Sequence, residues 1–271
     1  MTASISVPAR NAGRISADRL AGFGPLFRKE LLEWAHSVRP WVIVVVTTLF
    51  MTLTAANAAI NAWIIANVPD ATVSGGPVSL DPMANFLAAI ASNIFVMVAI
   101  FAAMSLLIAE RERGTLAWVA SKPVSRGAIW LSKWAAGAIV ITIVAGIVPM
   151  AATFAVVAVL YGSAGAGAFV LTAVGIAASV AFIVAVVLAA STVITNKAAV
   201  AAVGFAVLFV PQIVVGVLPV DLEPFLPTSI MGWAIGLVAG ADVGIVTPIA
   251  WLMSVIALAA FASWRMERLE F

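Results

Sequence analysis

The feature that most constrains this chain is the long stretch from Trp134 to Ile194, which contains no Lys, Arg, Asp, Glu or His. An α-helix needs about 20 apolar residues to cross a lipid bilayer, whereas the strands of a membrane barrel alternate apolar and polar residues. The whole chain is 64% hydrophobic and only 10% charged. Soluble domains are about half apolar and about a quarter charged. We therefore predict an all-α integral membrane protein.

The apolar runs predict six transmembrane helices. Their approximate limits are Trp41–Ala66, Met83–Ala109, Ala128–Leu160, Ala168–Ile194, Ala198–Leu218 and Val246–Trp264. The third run is longer than a bilayer requires, and Pro149 is expected to kink it. Residues 1–20 are predicted to be a flexible cytoplasmic tail, and residues 21–271 a single transmembrane domain.

The distribution of positive charge predicts the orientation of these helices. Of the fourteen Lys and Arg residues, six precede Trp41, five lie in Glu110–Lys133, one is Lys197 and two follow the last span. The segments on the other side carry acidic residues instead, namely Asp70, Asp81, Asp221, Glu223 and Asp242. Because positive residues stay on the cytoplasmic side during insertion, we expect both termini to be cytoplasmic, in a bacterial-type inner membrane.

Residues 224–242 are predicted to form a re-entrant outer segment before the last span. Their apolar part, Thr228–Gly240, is too short to cross. If it did cross, Arg265 and Arg268 would lie outside. The alternative is an interfacial helix anchored by Trp233.

Residues 21–38 have the pattern of an amphipathic helix. Apolar residues recur at helical spacing, and Arg28, Lys29, Glu30 and Glu33 are assigned to the opposite face. Such a helix lies on the inner membrane surface. It either braces a cytoplasmic partner or serves only as an anchor.

The composition also excludes several functions. Apart from Lys133 at the start of the third, which is expected to project into the cytoplasm, the predicted spans contain no Lys, Arg, Asp, Glu or His, which argues against proton- or ion-coupled transport. The sequence has no Gly-rich phosphate-binding loop and no Cys, and its single His, His36, lies outside the spans. We therefore expect no enzymatic activity and no cofactor in this chain, so any ATP-driven work requires ATP and Mg bound by another chain.

The first span carries one polar face, formed by Thr47, Thr54, Asn57 and Asn61 at helical spacing. Asn is costly against lipid, so this face is predicted to point toward a translocation path or a dimer interface. The alternative is hydrogen bonding between helices of the same chain.

The segment Glu110–Lys133 interrupts two apolar runs with five basic residues. Within it, Glu110 and Glu112 precede Gly114-Thr115, an apolar turn follows, and Pro123 ends the turn. Thr115 is predicted to cap a short cytoplasmic helix between Gly114 and Pro123. An ordinary positively charged loop would not need such a helix, so we interpret this one as a coupling helix.

This segment resembles the corresponding part of the permease subunits of type-2 ATP-binding-cassette (ABC) transporters. The resemblance lies in Glu-x-Glu-x-Gly-Thr-Leu, the apolar turn, Pro-Val-Ser-Arg and an early Lys in the next helix. The six-span layout, the amphipathic helix with Phe-Arg-Lys-Glu-Leu and the segment before the last span are also similar, from about Phe23 to Trp264. The outer loops are short, unlike those of members with a large outer domain.

The resemblance implies a membrane permease subunit of an exporter that works as a homo- or heterodimer with two copies of a separate ABC ATPase. No nucleic-acid partner is expected. It also implies that the coupling loop, residues 110–127, binds the ATPase. The matching residues are Glu110, Arg111, Glu112, Arg113, Gly114, Thr115, Leu116, Trp118, Lys122, Pro123 and Arg126.

Two other functions remain open from the sequence. One is a secondary carrier or channel that acts without ATP. The other is a membrane subunit that anchors or regulates a complex without moving substrate. The absence of charge in the spans favours a lipophilic or neutral substrate, but the sequence does not identify it.

Overall fold

A computed structural model describes residues 21–68, 79–115, 124–217 and 222–268. Within these ranges the chain is helical and has no strand, which confirms the predicted all-α class. Six helical segments there are long and apolar enough to cross a membrane, as predicted. We number them spans 1 to 6: Arg39–Asn67, Pro82–Glu112, Arg126–Leu160, Ala166–Ser191, Lys197–Val217 and Val246–Glu267. The predicted tail, residues 1–20, lies outside the described residues.

Two of the spans are built from several helices. The helices in chain order are α1 Phe23–Ala35, α2 Arg39–Asn67, α3 Pro82–Ala91, α4 Ile94–Ala103, α5 Ile108–Glu112, α6 Arg126–Ile141, α7 Val148–Leu160, α8 Ala166–Ser191, α9 Lys197–Val217, α10 Ile230–Val238 and α11 Val246–Glu267. Span 2 thus comprises α3 to α5. Span 3 comprises α6 and α7, joined by a π-helix over Thr142–Ile147.

Helix α8 forms the centre of the bundle and packs against α4, α6, α9, α10 and α11. Two Trp side chains, from two different spans, donate hydrogen bonds to the backbone of α8. The indole Nε1 of Trp134, in span 3, donates to the carbonyl of Ala181 at 2.9 Å. That of Trp251, in span 6, donates to the carbonyl of Ala178 at 2.9 Å. Each indole is therefore half-buried, and its one polar atom is hydrogen-bonded.

The two ends of the bundle differ in charge. Polar contacts described below join the start of spans 3 and 5 to the end of spans 2, 4 and 6 at one end, next to α1. We call this the basic end. The opposite end carries Asp81 and Glu223, and we call it the acidic end. The two ends match the two sides that the charge distribution predicts.

Helix α1 packs along α6 at the basic end and is shorter than the predicted 21–38. One assignment on it is wrong: Glu30 is not on the outer face but is buried, together with Trp34 one turn later. The physical reason is an ion pair with span 3, which gives the carboxylate a partner inside the protein. The pattern of apolar residues alone does not reveal such a partner.

At the acidic end, the only Tyr of the chain ties span 3 to span 1. The Tyr161 hydroxyl donates to the carbonyl of Ala55 at 2.8 Å and accepts from the amide of Ala59 at 2.9 Å. These two backbone groups are four residues apart and would normally bond to each other. The hydroxyl is therefore inserted into the hydrogen-bond ladder of α2.

The predicted re-entrant segment consists of two short 3₁₀ turns, Glu223–Phe225 and Pro227–Ser229, followed by the single helix α10. Trp233 donates from Nε1 to the carbonyl of Gly244 at 2.8 Å. Helix α10 packs closely on α8, where a Cβ added to Gly175 would lie 2.7 Å from the Cβ of Ala234. Its depth in a membrane stays a prediction.

This contact gives a test of the α8–α10 packing. We expect Gly175→Ala to lower the free energy of unfolding by about 1–3 kcal/mol, because the new methyl group forces two packed helices apart. The control is Gly167→Ala in the same helix, where an added Cβ meets no atom within 4 Å. Thermal unfolding of both purified variants measures the difference. Equal unfolding temperatures would contradict the packing.

Candidate functional site

The segment that the sequence singles out begins at the basic end, where span 2 finishes. Glu110 to Thr115 are described, and the chain is described again from Val124. Four of the predicted coupling residues, Leu116, Trp118, Lys122 and Pro123, lie outside the described residues, and so does the apolar turn of the coupling helix. The structure describes the residues on either side of this turn, and these residues attach the segment to the rest of the bundle.

Glu110 is the first of these attachments and lies in a cluster of ion pairs. Its Oε1 atom is 2.8 Å from Nζ of Lys29 in α1, and its Oε2 atom is 3.0 Å from Nζ of Lys133 in α6. The Lys133 ammonium also contacts Oε1 of Glu30 at 2.8 Å. One carboxylate thus joins span 2 to both α1 and span 3.

The inner pair of this cluster is shielded from water. The side chain of Lys133 is 3% exposed and that of Glu30 is 5% exposed. Glu110 is 12% exposed. In such a site a charge without its partner costs several kcal/mol, although the complete pair adds little net stability over apolar residues of the same size. The pairs therefore fix where α1, span 2 and span 3 lie relative to one another.

Lys29 closes the cluster toward solvent. Its ammonium also contacts Oε1 of Glu33 at 3.1 Å, one turn along α1. Burial lowers the pKa of Lys29, but the hydrogen bond to Glu110 and the nearby negative charges outweigh this effect and raise it above its ordinary value. The pKa of Lys29 is higher in the folded protein than in the unfolded chain. Its stabilising effect is therefore fully present at any pH below the ordinary lysine pKa and is lost only at strongly alkaline pH. Lys29 therefore keeps its positive charge across physiological pH.

The cluster contains three carboxylates, of Glu30, Glu33 and Glu110, whose oxygens lie within 4.8 Å of one another. Such a group resembles a metal site, but each of the three carboxylates already contacts the ammonium group of Lys29 or Lys133. The arrangement is therefore an ion-pair cluster rather than a cation site.

The next two residues of the segment connect span 2 to spans 4 and 5. The guanidinium of Arg111 donates to the carbonyl of Ser191, at the end of α8, at 2.9 Å. Glu112 accepts from Nζ of Lys197, at the start of α9, at 2.5 Å. The Lys197–Glu112 pair is solvent-exposed and contributes little to stability. The Arg111 bond meets one of the terminal carbonyls of α8 that has no partner within its own helix.

Arg113 differs from its neighbours because its side chain has no hydrogen bond or ion pair within the described residues. It is exposed and borders a polar cavity of about 370 Å³ that also touches Arg39 and Glu33. Gly114 then adopts a φ of +69°, a left-handed conformation that favours glycine. The Thr115 hydroxyl donates to the carbonyl of Glu110 at 3.2 Å, so it closes the end of α5.

On the far side of the segment, Arg126 is the first residue of α6. Its guanidinium donates to the carbonyls of Met266 at 3.2 Å and Glu267 at 2.8 Å, which are at the end of span 6. Ser125 caps α6 by accepting from the amide of Ala128, and its own amide donates to the carbonyl of Ala21 beside α1. Both edges of the segment are thus attached to α1 as well as to the spans.

The predicted polar face of span 1 is only partly retained as a surface. Thr47 is buried and its hydroxyl donates to the carbonyl of Ile43 at 2.8 Å. Thr54 is half-buried and binds the carbonyl of Phe50, whereas Asn57 is exposed and Asn61 is half-buried. The two Asn side chains therefore remain available to another molecule, while the two Thr side chains are satisfied within their own helix.

Sequence reasoning identified Glu110 but missed the residues that hold it. Lys29 lies 81 positions away along the chain, and Lys133 is itself held by Glu30, which is 103 positions from it. One signal was present: Lys133 lies two turns inside a long apolar helix, where an ammonium needs a carboxylate. Which carboxylate it takes depends on the tertiary fold.

Comparison with known proteins agrees with the resemblance found in the sequence. The family described as ABC-2 family transporter protein matches residues 25–263, which include spans 1 to 5, the coupling segment and most of α1 and span 6. No curated protein matches the chain. Members of this family are membrane components that associate with an ABC ATPase. The chain is therefore a multi-pass membrane permease that belongs to the ABC-2 transporter family.

Proposed function

We propose that this chain is the permease subunit of an ATP-driven exporter, with its basic end and both termini on the cytoplasmic side of a bacterial-type inner membrane. The observation that carries the proposal is the position of Glu110. This residue lies four positions before Gly114, where the predicted coupling helix begins. It is ion-paired to α1 and to span 3 at the same time. A force applied to the segment therefore reaches two structural elements through one side chain.

In the proposed cycle, a separate ATPase holds ATP and Mg, and this chain holds neither. The ATPase contacts the coupling segment through Arg113 and through residues 116–123. Closure of the ATPase moves the segment, and the movement passes through Glu110 to α1 and span 3. Arg111 and Arg126 carry it to spans 4 and 6, because both bind the last carbonyls of those helices.

The proposed assembly contains two permeases and two ATPases. The substrate path runs along the interface between the two permeases, where the exposed Asn57 and the half-buried Asn61 supply polar contacts. Between the charged residues of the two ends, the spans offer hydroxyls, amides and apolar groups. This lining suits a neutral or lipophilic substrate.

The assembly and its energy source can be tested together. We expect the chain to co-purify with an ABC ATPase in a 2:2 ratio and to transport only when ATP is supplied, because it carries no nucleotide site. Mass measurement of the complex and transport in liposomes provide the two readouts. Transport by the permease alone, without ATP, would instead identify a secondary carrier or channel.

Arg113 gives a test of ATPase docking. We expect Arg113→Glu to weaken binding of the ATPase about tenfold, since charge reversal at an interface places like charges together. The unfolding temperature should not change, because Arg113 has no partner in the described part of the chain. Arg268→Glu is the control, with the same charge change at the basic end directly after span 6, where, among the described residues, the guanidinium contacts only the ring of Trp264. If Arg113→Glu binds the ATPase as tightly as Arg268→Glu does, Arg113 has no docking role.

Lys133 gives a test of force transmission. We expect Lys133→Met to cost about 3–5 kcal/mol of stability, because Glu30 is left buried with only the more distant ammonium of Lys29, at 3.5 Å. Adding Glu30→Met removes that charge and should restore most of the lost stability. The double variant should still bind and stimulate the ATPase. It should transport less substrate per ATP, because no ion pair then connects α1 directly to span 3. Normal transport by this folded double variant would exclude the pair from coupling.

A further inference from the structure

A second polar site lies at the acidic end, far from the coupling segment. It is a half-enclosed cavity of about 310 Å³ between span 2, span 5 and the segment that leads into α10. Five polar side chains line it: Asn93, Gln212, Glu223, Thr228 and Ser229. Neither the ion-pair cluster nor the polar face of span 1 contributes to it. All the residues that line this cavity come from one copy of the chain.

The backbone is irregular on two sides of this cavity. Asn93 interrupts span 2 with a φ of +54°, and no other non-glycine residue among the described ones has a positive φ. On span 5, Pro211 lies inside α9, next to Gln212. Backbone that departs from a regular helix inside a membrane occurs where it is buried in protein or lines a polar cavity. Strained residues of this kind cluster at ligand sites.

The polar side chains of the cavity are not used by the fold. Within the described residues, none of the five forms a side-chain hydrogen bond with another protein group. The Glu223 carboxylate faces α10, with its Oε1 atom 3.5 Å from where a Cβ on Gly232 would be. One carboxylate, two amides and two hydroxyls therefore line the same small space.

The chain cannot neutralise Glu223 itself. No Lys, Arg or His occurs in residues 40–110 or 198–264, which include every segment that forms the walls of the cavity. A second copy of the chain has the same sequence and brings no cation to this end either. Glu223 is exposed, so water already solvates its carboxylate, and any cation that pairs with it in the cavity comes from outside the chain.

The remaining lining selects among cations. The apolar residues of the cavity are aliphatic or thioether side chains, with no aromatic ring: Ala91, Val215, Leu226, Met231 and Ile235. Quaternary ammonium groups are bound by aromatic rings, whereas a primary ammonium needs several oxygen acceptors around it. The volume is at the lower end of ligand sites, which are about 300–1,000 Å³. We propose that this cavity binds a small aliphatic primary amine in its ammonium form.

The binding test uses the full chain in lipid nanodiscs, without ATPase or ATP. The probes are 4-amino-1-butanol, its uncharged counterpart 1,4-butanediol, and choline as a quaternary cation. Saturation-transfer NMR titrations yield their dissociation constants. We expect the amino alcohol to bind at least about tenfold more tightly than the diol, which is the difference that a charged hydrogen bond provides. Choline should bind more weakly than the amino alcohol.

Variants locate the site. Glu223→Gln keeps the shape and removes the charge, and should weaken amine binding about tenfold. Asn93→Gly keeps a residue that tolerates positive φ while it removes the amide, and should also weaken binding. Asp242→Asn is the matched control, since it removes an acidic-end carboxylate that does not line the cavity. Unfolding temperatures show that each variant is folded.

Several outcomes would overturn the proposal. These are equal binding of amine and diol, unchanged binding by both Glu223→Gln and Asn93→Gly, equal loss in Asp242→Asn, and no detectable amine binding at about 10 mM, a concentration that corresponds to a binding free energy near −3 kcal/mol. The measurement needs no ATPase, so its failure leaves the proposed export function untouched. Conversely, loss of ATPase binding in Arg113→Glu says nothing about this cavity.

Discussion

The arrangement of the basic end depends on one buried ammonium group, that of Lys133. A charge in this position is tolerated only if carboxylates approach it from other elements. Glu30 comes from α1 and Glu110 from span 2, at 2.8 and 3.0 Å. The pairing therefore fixes the positions of α1 and of two spans at once, and Glu110 is also the first residue of the predicted coupling loop, 110–127.

Span 3 is held at both of its ends by the same neighbouring unit. At the basic end, Lys133 binds α1, and at the acidic end the Tyr161 hydroxyl enters the backbone of α2. Helix α1 leads directly into α2. The unit of α1 and span 1 is thus attached to span 3 near the basic end and again near the acidic end of the bundle. A displacement of span 3 is passed on to the helix whose Asn57 and Asn61 are available to another molecule.

The number and placement of the spans were predictable because long apolar runs and the distribution of Lys and Arg depend on local sequence. The place of Glu110 at the end of a span was also predictable, because it follows one of the long apolar runs. The partner of Lys133 was not, since it lies 103 residues away and Glu30 fits an outward-facing pattern equally well. The break at Asn93 was likewise hidden, because a single residue in an apolar run carries no signal of its backbone conformation.

The π-helix in span 3 has a consequence for how the chain tolerates insertions and deletions. A π-turn holds one residue more than an α-turn, and each residue rotates a helix by about 100°. The wide turn absorbs this extra residue because the chain rotates less per residue there than in an α-turn. Removing one residue from Thr142–Ile147 would therefore restore a regular α-helix and leave Tyr161 facing span 1 and Lys133 facing α1. The α-helical parts of span 3 have no such reserve, so a deletion there would rotate one of these two residues away from its partner.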